Sequence, residues 1–138
     1  MKDKIKILFL CIVFTVLIIG CTSGASKKAV PELCTFGNYD SAIKCMDKAI
    51  ISASGVIQLS LKNYDHPPPK VNVTNVIVTV DGDCEPKGID MPDNKAQVFT
   101  CTIASGEVGD AIKKSLTVKY TDNEGTKTFT GVLQGNMR

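Results

Sequence analysis

Three hydropathy regimes divide this 138-residue chain. The first is an apolar run from Ile7 to Ile19, preceded by Lys2, Lys4 and Lys6 and closed by Gly20 and Cys21. The second, Thr22 to Pro31, has no apolar period, and its Pro31 discourages a helix. The third follows with a mixed stretch from Cys34 to Ile51, in which Asn38 to Ser41 is turn-like and Ala42 to Ala49 fits one short helical turn or an irregular strand. Beyond Gly55 the period becomes two: Ile57, Leu59 and Leu61 alternate against Gln58, Ser60 and Lys62, as in a half-buried strand.

Asn63 to Pro69 breaks that strand, and Val71 to Val80 then carries a β-branched run whose alternation slips. Val71 and Val73 occupy odd positions and Val76, Val78 and Val80 even ones, so a bulge near Thr74 or Asn75 is needed to keep one face buried. Asp81 to Asp83 reads as a turn and Glu85 to Lys95 as a polar loop with two prolines. A strand over Val98 to Ile103 precedes a loop holding Gly106 and Gly109. Leu116, Val118 and Tyr120 alternate next, Asp122 to Gly125 has hairpin-turn composition, and Phe129, Gly131 and Leu133 alternate in the closing strand.

Short strands with turn punctuation and almost no helical period predict a mainly β protein, an antiparallel immunoglobulin-like β-sandwich behind an N-terminal apolar leader helix. The Trp usual in immunoglobulin domains is absent. The organisation expected is a signal peptide or membrane anchor over residues 1–20, a polar tether over 21–31, and a disulfide-stapled β-sandwich over 32–138.

The leader is too short to span a bilayer comfortably, which takes about 20 apolar residues, and its basic start and small residue before Cys21 fit a secretory signal peptide. The tetrad Ile18, Ile19, Gly20 and Cys21 resembles the lipobox of prokaryotic lipoproteins. That resemblance implies lipidation of Cys21, cleavage before it, and a chain held through lipid at the extracytoplasmic face of the cell membrane. The competing readings are an uncleaved anchor over Ile5 to Cys21 and a type IV pilin-like leader, although Lys6 followed directly by Ile7 lacks the Gly or Ala that precedes a pilin's apolar run.

Charge changes the picture little. Residues 1–20 hold three Lys and one Asp of the chain's 16 basic and 14 acidic residues, leaving 13 of each downstream. A neutral domain without a basic patch excludes nucleic acid as a partner. With no Trp and 6% aromatic residues, the core must be aliphatic. Cys34, Cys45, Cys84 and Cys101 form an even set in an exported segment, where two disulfides are the default. Pairing Cys34 with Cys45 and Cys84 with Cys101 closes two short loops, each worth roughly 3 kcal/mol on the loop-entropy model. Zinc would need close ligand pairs, and none occurs around the single histidine.

Candidate chemistry is sparse. His66 lies before Pro67, Pro68 and Pro69 with only Asp65 as a neighbouring carboxylate, so a catalytic set is not expected and no cofactor is called for. The prolines serve as a rigid connector or a polyproline II ligand surface. Asp81, Asp83 and Glu85 offer oxygen ligands beside a glycine turn but lack an EF-hand's closing bidentate Glu, so no metal is expected. Asn72, Val73 and Thr74 form an acceptor sequon for N-glycosylation, with Asn72 expected to face outward.

The order of these features resembles the small ectodomains of archaeal pilin-like and surface β-sandwich proteins. The resemblance is carried by Cys34 and Cys45, the strand from Leu59 to Asn63, the Val76 to Val80 strand, and Cys84 and Cys101 flanking a loop. The Gly106 and Glu107 turn, Val118 to Tyr120, and Thr130 to Val132 continue it over roughly residues 34–135. It implies a surface sandwich with local disulfides. The function expected is a non-enzymatic, lipid-anchored surface interaction or structural module, whose partners are the membrane through Cys21 and either another protein or further copies of the chain. The alternatives are a pilin-like filament subunit that retains its apolar helix and a small-ligand or ion-binding surface lipoprotein.

Overall fold

A computed structural model describes residues 27–36, 41–64 and 70–138. The expected leader helix, the lipidation candidate Cys21, the start of the tether, and the segment holding Asp65 and His66 lie outside the described residues. Nine strands occur in those described: β1 (Leu33–Phe36), β2 (Ile43–Cys45), β3 (Ile50–Ile51), β4 (Val56–Asn63), β5 (Val73–Thr79), β6 (Ile89–Met91), β7 (Ala96–Thr102), β8 (Ala111–Asp122) and β9 (Gly125–Asn136). The fold is mainly β, as the alternating patterns predict, and no helix is found among the described residues.

The strands form two antiparallel sheets. The first has the order β1-β9-β8-β5-β6; in the second, β2 and β3 lie along one edge of β4 and β7 along the other. One core cluster draws on both sheets: Ile57, Leu59, Leu61 and Phe99 from one, Val76, Val78, Leu116, Val118, Tyr120 and Leu133 from the other, all at most 1% exposed. This is the arrangement of a β-sandwich, in which each strand turns alternate side chains inward. Phe99 and Tyr120 are the largest fully buried side chains, and branched aliphatics fill most of the remainder.

The slip in β5 is real. Pairing of β5 with both β6 and β8 shifts register between Val73 or Thr74 and Val76 or Ile77, and Asn75 sits in the left-handed region at φ 52°. Asparagine tolerates that conformation better than a β-branched residue. The extra residue lets Val73, Val76 and Val78 all reach 0% exposure.

One segment left open by the pattern takes the second of its two expected forms, and another differs from its expected form. Ala42 to Ala49 contains no helical turn: it belongs to an interrupted strand that pairs with β4 at Ile43–Cys45, continues through the Met46 N–H donating to Ser60 O at 2.9 Å, and resumes at Ile50. The stretch expected as the loop Glu85 to Lys95 contains β6, whose Met91 is fully buried. Three residues offer too little alternation for the pattern to be visible between two prolines, and cross-strand pairing with β5 creates the strand.

Two polar groups tie the sheets together at one end. The Tyr120 hydroxyl, on β8, accepts a 2.9 Å hydrogen bond from the Ala42 N–H, which leads into β2. Asn63, at the end of β4 and 0% exposed, donates through Nδ2 to the carbonyls of Val71 at 2.7 Å and Met91 at 2.8 Å, while its own N–H bonds Lys95 O. Asn63 continues the inward phase of Ile57, Leu59 and Leu61, so it takes a core position and spans to the edge of the opposite sheet. Asn63→Ala is expected to lower stability by about 1–3 kcal/mol, because two buried carbonyls lose their donor. Asn63→Asp should cost more, since a carboxylate would face those carbonyls; urea denaturation midpoints of the two variants check the order.

Candidate functional site

The four cysteines of the described domain are paired as expected. Cys34 of β1 bonds Cys45 of β2 with Cα atoms 6.0 Å apart, and Cys84 bonds Cys101 of β7 with Cα atoms 4.3 Å apart. Placement gives these bonds a meaning that spacing does not. β1 and β2 lie on different sheets, and Cys84, held to β5 by its N–H donating to Val78 O at 2.8 Å, faces β7 of the other sheet. Each disulfide therefore joins the two sheets, and at opposite edges. Reciprocal backbone hydrogen bonds between Glu85 and Thr100, at 2.8 and 2.7 Å, reinforce the second.

The bridges differ in access. Cys84 and Cys101 are both 0% exposed, whereas Cys34 and Cys45 are half-buried beside a cleft of about 330 Å³ lined by Glu32, Leu33, Met46, Asp47 and Lys48.

The outer face of the second sheet carries most of the exposed large apolar side chains. Met46, Ile50, Tyr64 and Val98 are about half exposed, and a shallow depression of about 160 Å³ runs between Ile50, Gln58, Ser60 and Val98. Lys44 Nζ lies 4.9 Å from the Tyr64 ring centroid and Lys62 Nζ 6.0 Å from it, so two cations lie over the aromatic ring.

From Lys27 onward the expected tether is held against the domain. Gln134 Nε2 donates to Pro31 O at 3.1 Å, and the Val30 N–H donates to Asn136 Oδ1 at 2.7 Å. Asn136 Nδ2 in turn donates to Gly109 O at 2.8 Å. Lys27 Nζ reaches Asp110 Oδ1 at 2.6 Å and Glu107 Oε2 at 2.9 Å. Hydrogen bonds from Lys27 and from the Glu107 N–H hold the Asp110 carboxyl below the usual aspartate range. Nothing in the composition of Lys27 to Pro31 signals this docking, because its partners lie 80 to 106 residues away, in the loop before β8 and on β9.

The carboxylates of the Asp81 to Glu85 turn do not converge. Asp81 pairs with Lys114 at 2.6 Å, and Asp83 bonds Lys87 and, at 3.2 Å, the Thr79 hydroxyl. Asn72 is exposed, with its Oδ1 accepting from the Asp93 N–H at 2.9 Å and its sequon partner Thr74 also exposed.

The hairpin turn is organised by charge. Asp122 Oδ1 accepts from the Glu124 N–H at 2.9 Å, and Lys127 Nζ lies 2.9 Å from Asp122 and 2.5 Å from Glu124. Burial pushes the Asp122 carboxyl up, but hydrogen bonds from Lys127 and from the N–H groups of Glu124 and Gly125 outweigh it and hold the group below the usual aspartate range.

Compared with protein-family models, curated proteins and solved structures, the chain matches none.

Two outcomes follow from this geometry. Under native conditions, a water-soluble reductant with an alkylating trap should label Cys34 and Cys45 before Cys84 and Cys101, since thiol exchange needs access to sulfur; peptide mass mapping over time checks the order. Asp122 has a lowered pKa in the fold, so its stabilisation is complete above the unfolded aspartate value of about 3.9 and is lost as pH falls through the lower folded value. Thermal unfolding from pH 6 to pH 2 should therefore show a decline confined to the acid end, and Lys127→Met should flatten it.

Proposed function

We propose that this chain is an exported surface protein, anchored by lipid on Cys21, whose disulfide-stapled β-sandwich acts as an interaction or structural module without catalytic activity. The observation that carries the proposal is the pairing of all four downstream cysteines in a chain whose apolar run ends in Gly20 and Cys21. Two closed disulfides require an oxidising compartment to persist, and an apolar leader supplies the route to one. A lipidated cysteine fits a module that works where it is displayed, because two acyl chains hold a protein stably at a membrane where one does not.

An immunoglobulin-like order within the sandwich is part of this reading. β4 lies beside β7 in one sheet, while β5, β8 and β9 are successive neighbours in the other. Immunoglobulin-type sandwiches place their B and E strands together opposite C, F and G in this way. The non-catalytic role is supported by the pairing of the acidic turn residues with lysines: Asp83 with Lys87 and Asp122 with Lys127 within their own turns, Asp81 with Lys114 of β8, and Asp110 with Lys27 of the docked segment, an arrangement that steadies connections. Asn72, exposed at the start of the chain's path into β5, is the acceptor we assign for any N-linked glycan.

Intact mass of the membrane-extracted protein tests the proposal. A chain beginning at Cys21 with the mass of a diacylglyceryl group is expected, and reduction should add one hydrogen for each of the four remaining sulfurs. A chain that keeps residues 1–20 without added lipid would refute the lipoprotein reading and favour a helical anchor or pilin-like subunit. Calcium should leave the melting temperature unchanged; a rise with calcium would instead establish the ion-binding alternative.

A further inference from the structure

We propose that the end of the sandwich formed by the loop from Ala104 to Asp110 rests on the phospholipid bilayer, with the Val108 side chain in the lipid interface. This rests on attachment to the membrane N-terminal to Lys27, whether through lipid on Cys21 or through a retained apolar run. The docked segment fixes where the chain leaves the domain. Lys27 is pinned to Glu107 and Asp110 and packs over Gly109, where a Cβ would lie 3.2 Å from Lys27 Cδ.

Five residues, Thr22 to Ser26, separate Cys21 from Lys27. Fully extended, that leash reaches about 20 Å. β8 starts beside this loop at Ala111 and runs twelve residues to the hairpin turn, a distance of about 36 Å. The leash is therefore shorter than the domain is long, and a sandwich standing on its hairpin end would hold Lys27 out of reach of the membrane.

The loop itself is suited to the contact. Val108, at 70% exposed, is the most exposed large apolar side chain among the described residues. It is displayed on a rigid turn: the Asp110 N–H donates to Glu107 O at 3.0 Å, the Glu107 N–H to Asp110 Oδ2 at 2.7 Å, the Gly106 N–H to Ala53 O at 3.0 Å, and the Gly109 N–H to Met137 O at 2.8 Å. Lys27 pairs with both carboxylates and offsets one of the two negative charges, and the adjacent exposed Lys28 offsets the other. The same orientation places Asn72 at the far end, since the following Thr74 pairs with Thr121 next to the hairpin turn.

The chain has no Trp, so single substitutions report without background. Full-length protein carrying Val108→Trp or Glu124→Trp is reconstituted into phosphatidylcholine vesicles with brominated acyl chains, and sedimentation with the vesicles is measured alongside emission. Val108→Trp is expected to shift to the blue and lose emission to the bromines, while Glu124→Trp, on the hairpin turn, does neither. In the unsubstituted chain, a water-soluble amine reagent should label Lys28 more slowly relative to Lys119 once the protein is in vesicles. Sedimentation with emission unquenched at position 108, or quenched equally at 124, would overturn the orientation while leaving the anchor intact. Failure to sediment would overturn the anchor, and the orientation with it.

Discussion

The structure depends on closing two small sheets against each other at both edges. A sandwich of this size has a thin core, and here aliphatic side chains fill most of it around Phe99 and Tyr120. Hydrophobic burial holds the faces together without fixing how the edges meet. Covalent bonds do that: Cys34–Cys45 joins β1 to β2 at one margin, and Cys84–Cys101 joins the β5–β6 connection to β7 at the other. Each bridge restricts the unfolded chain and also stops its two sheets from parting at an edge, where an exposed strand would invite pairing with another chain.

Polar ties complete the closure along the length of the sandwich. Near the hairpin end, Tyr120 and Asn63 hydrogen-bond across from one sheet to segments of the other. At the opposite end, the chain from Lys27 to Pro31 is bound to β9 and to the loop before β8 by Asn136, Gln134 and Lys27. That docking has a functional consequence for a membrane-held protein. A domain joined through a long free tether would sample every orientation, whereas one joined at a fixed point by a short leash presents one end to the membrane and the other outward.

That polarity is the form that display would take in the proposed role. The hairpin end carries Asn72, and the outer face of the second sheet carries Met46, Ile50, Val98 and the Tyr64 ring with Lys44 and Lys62 beside it.

Much of the architecture was written in the alternation of residues. Ile57, Leu59 and Leu61, then Leu116, Val118 and Tyr120, named inward faces that are inward in the fold, and the slip between Val73 and Val76 required the bulge at Asn75. Local chemistry also identified the hairpin turn at Asp122 to Gly125 and the pairing of cysteines close in sequence. These features are legible because side-chain period, turn composition and short loop closure act between residues near one another in the chain. The short strand β2 was legible only as one of two alternatives and β3 and β6 were not legible, since two or three residues have no measurable period and gain strand form only from β4 and β5. Nor could sequence reveal that Asn63 reaches Val71 and Met91, that the disulfides bridge opposite edges, or that Lys27 docks beside Val108. Those facts depend on which strands lie side by side, and only the closure of the two sheets brings residues up to a hundred positions apart within reach of a hydrogen bond.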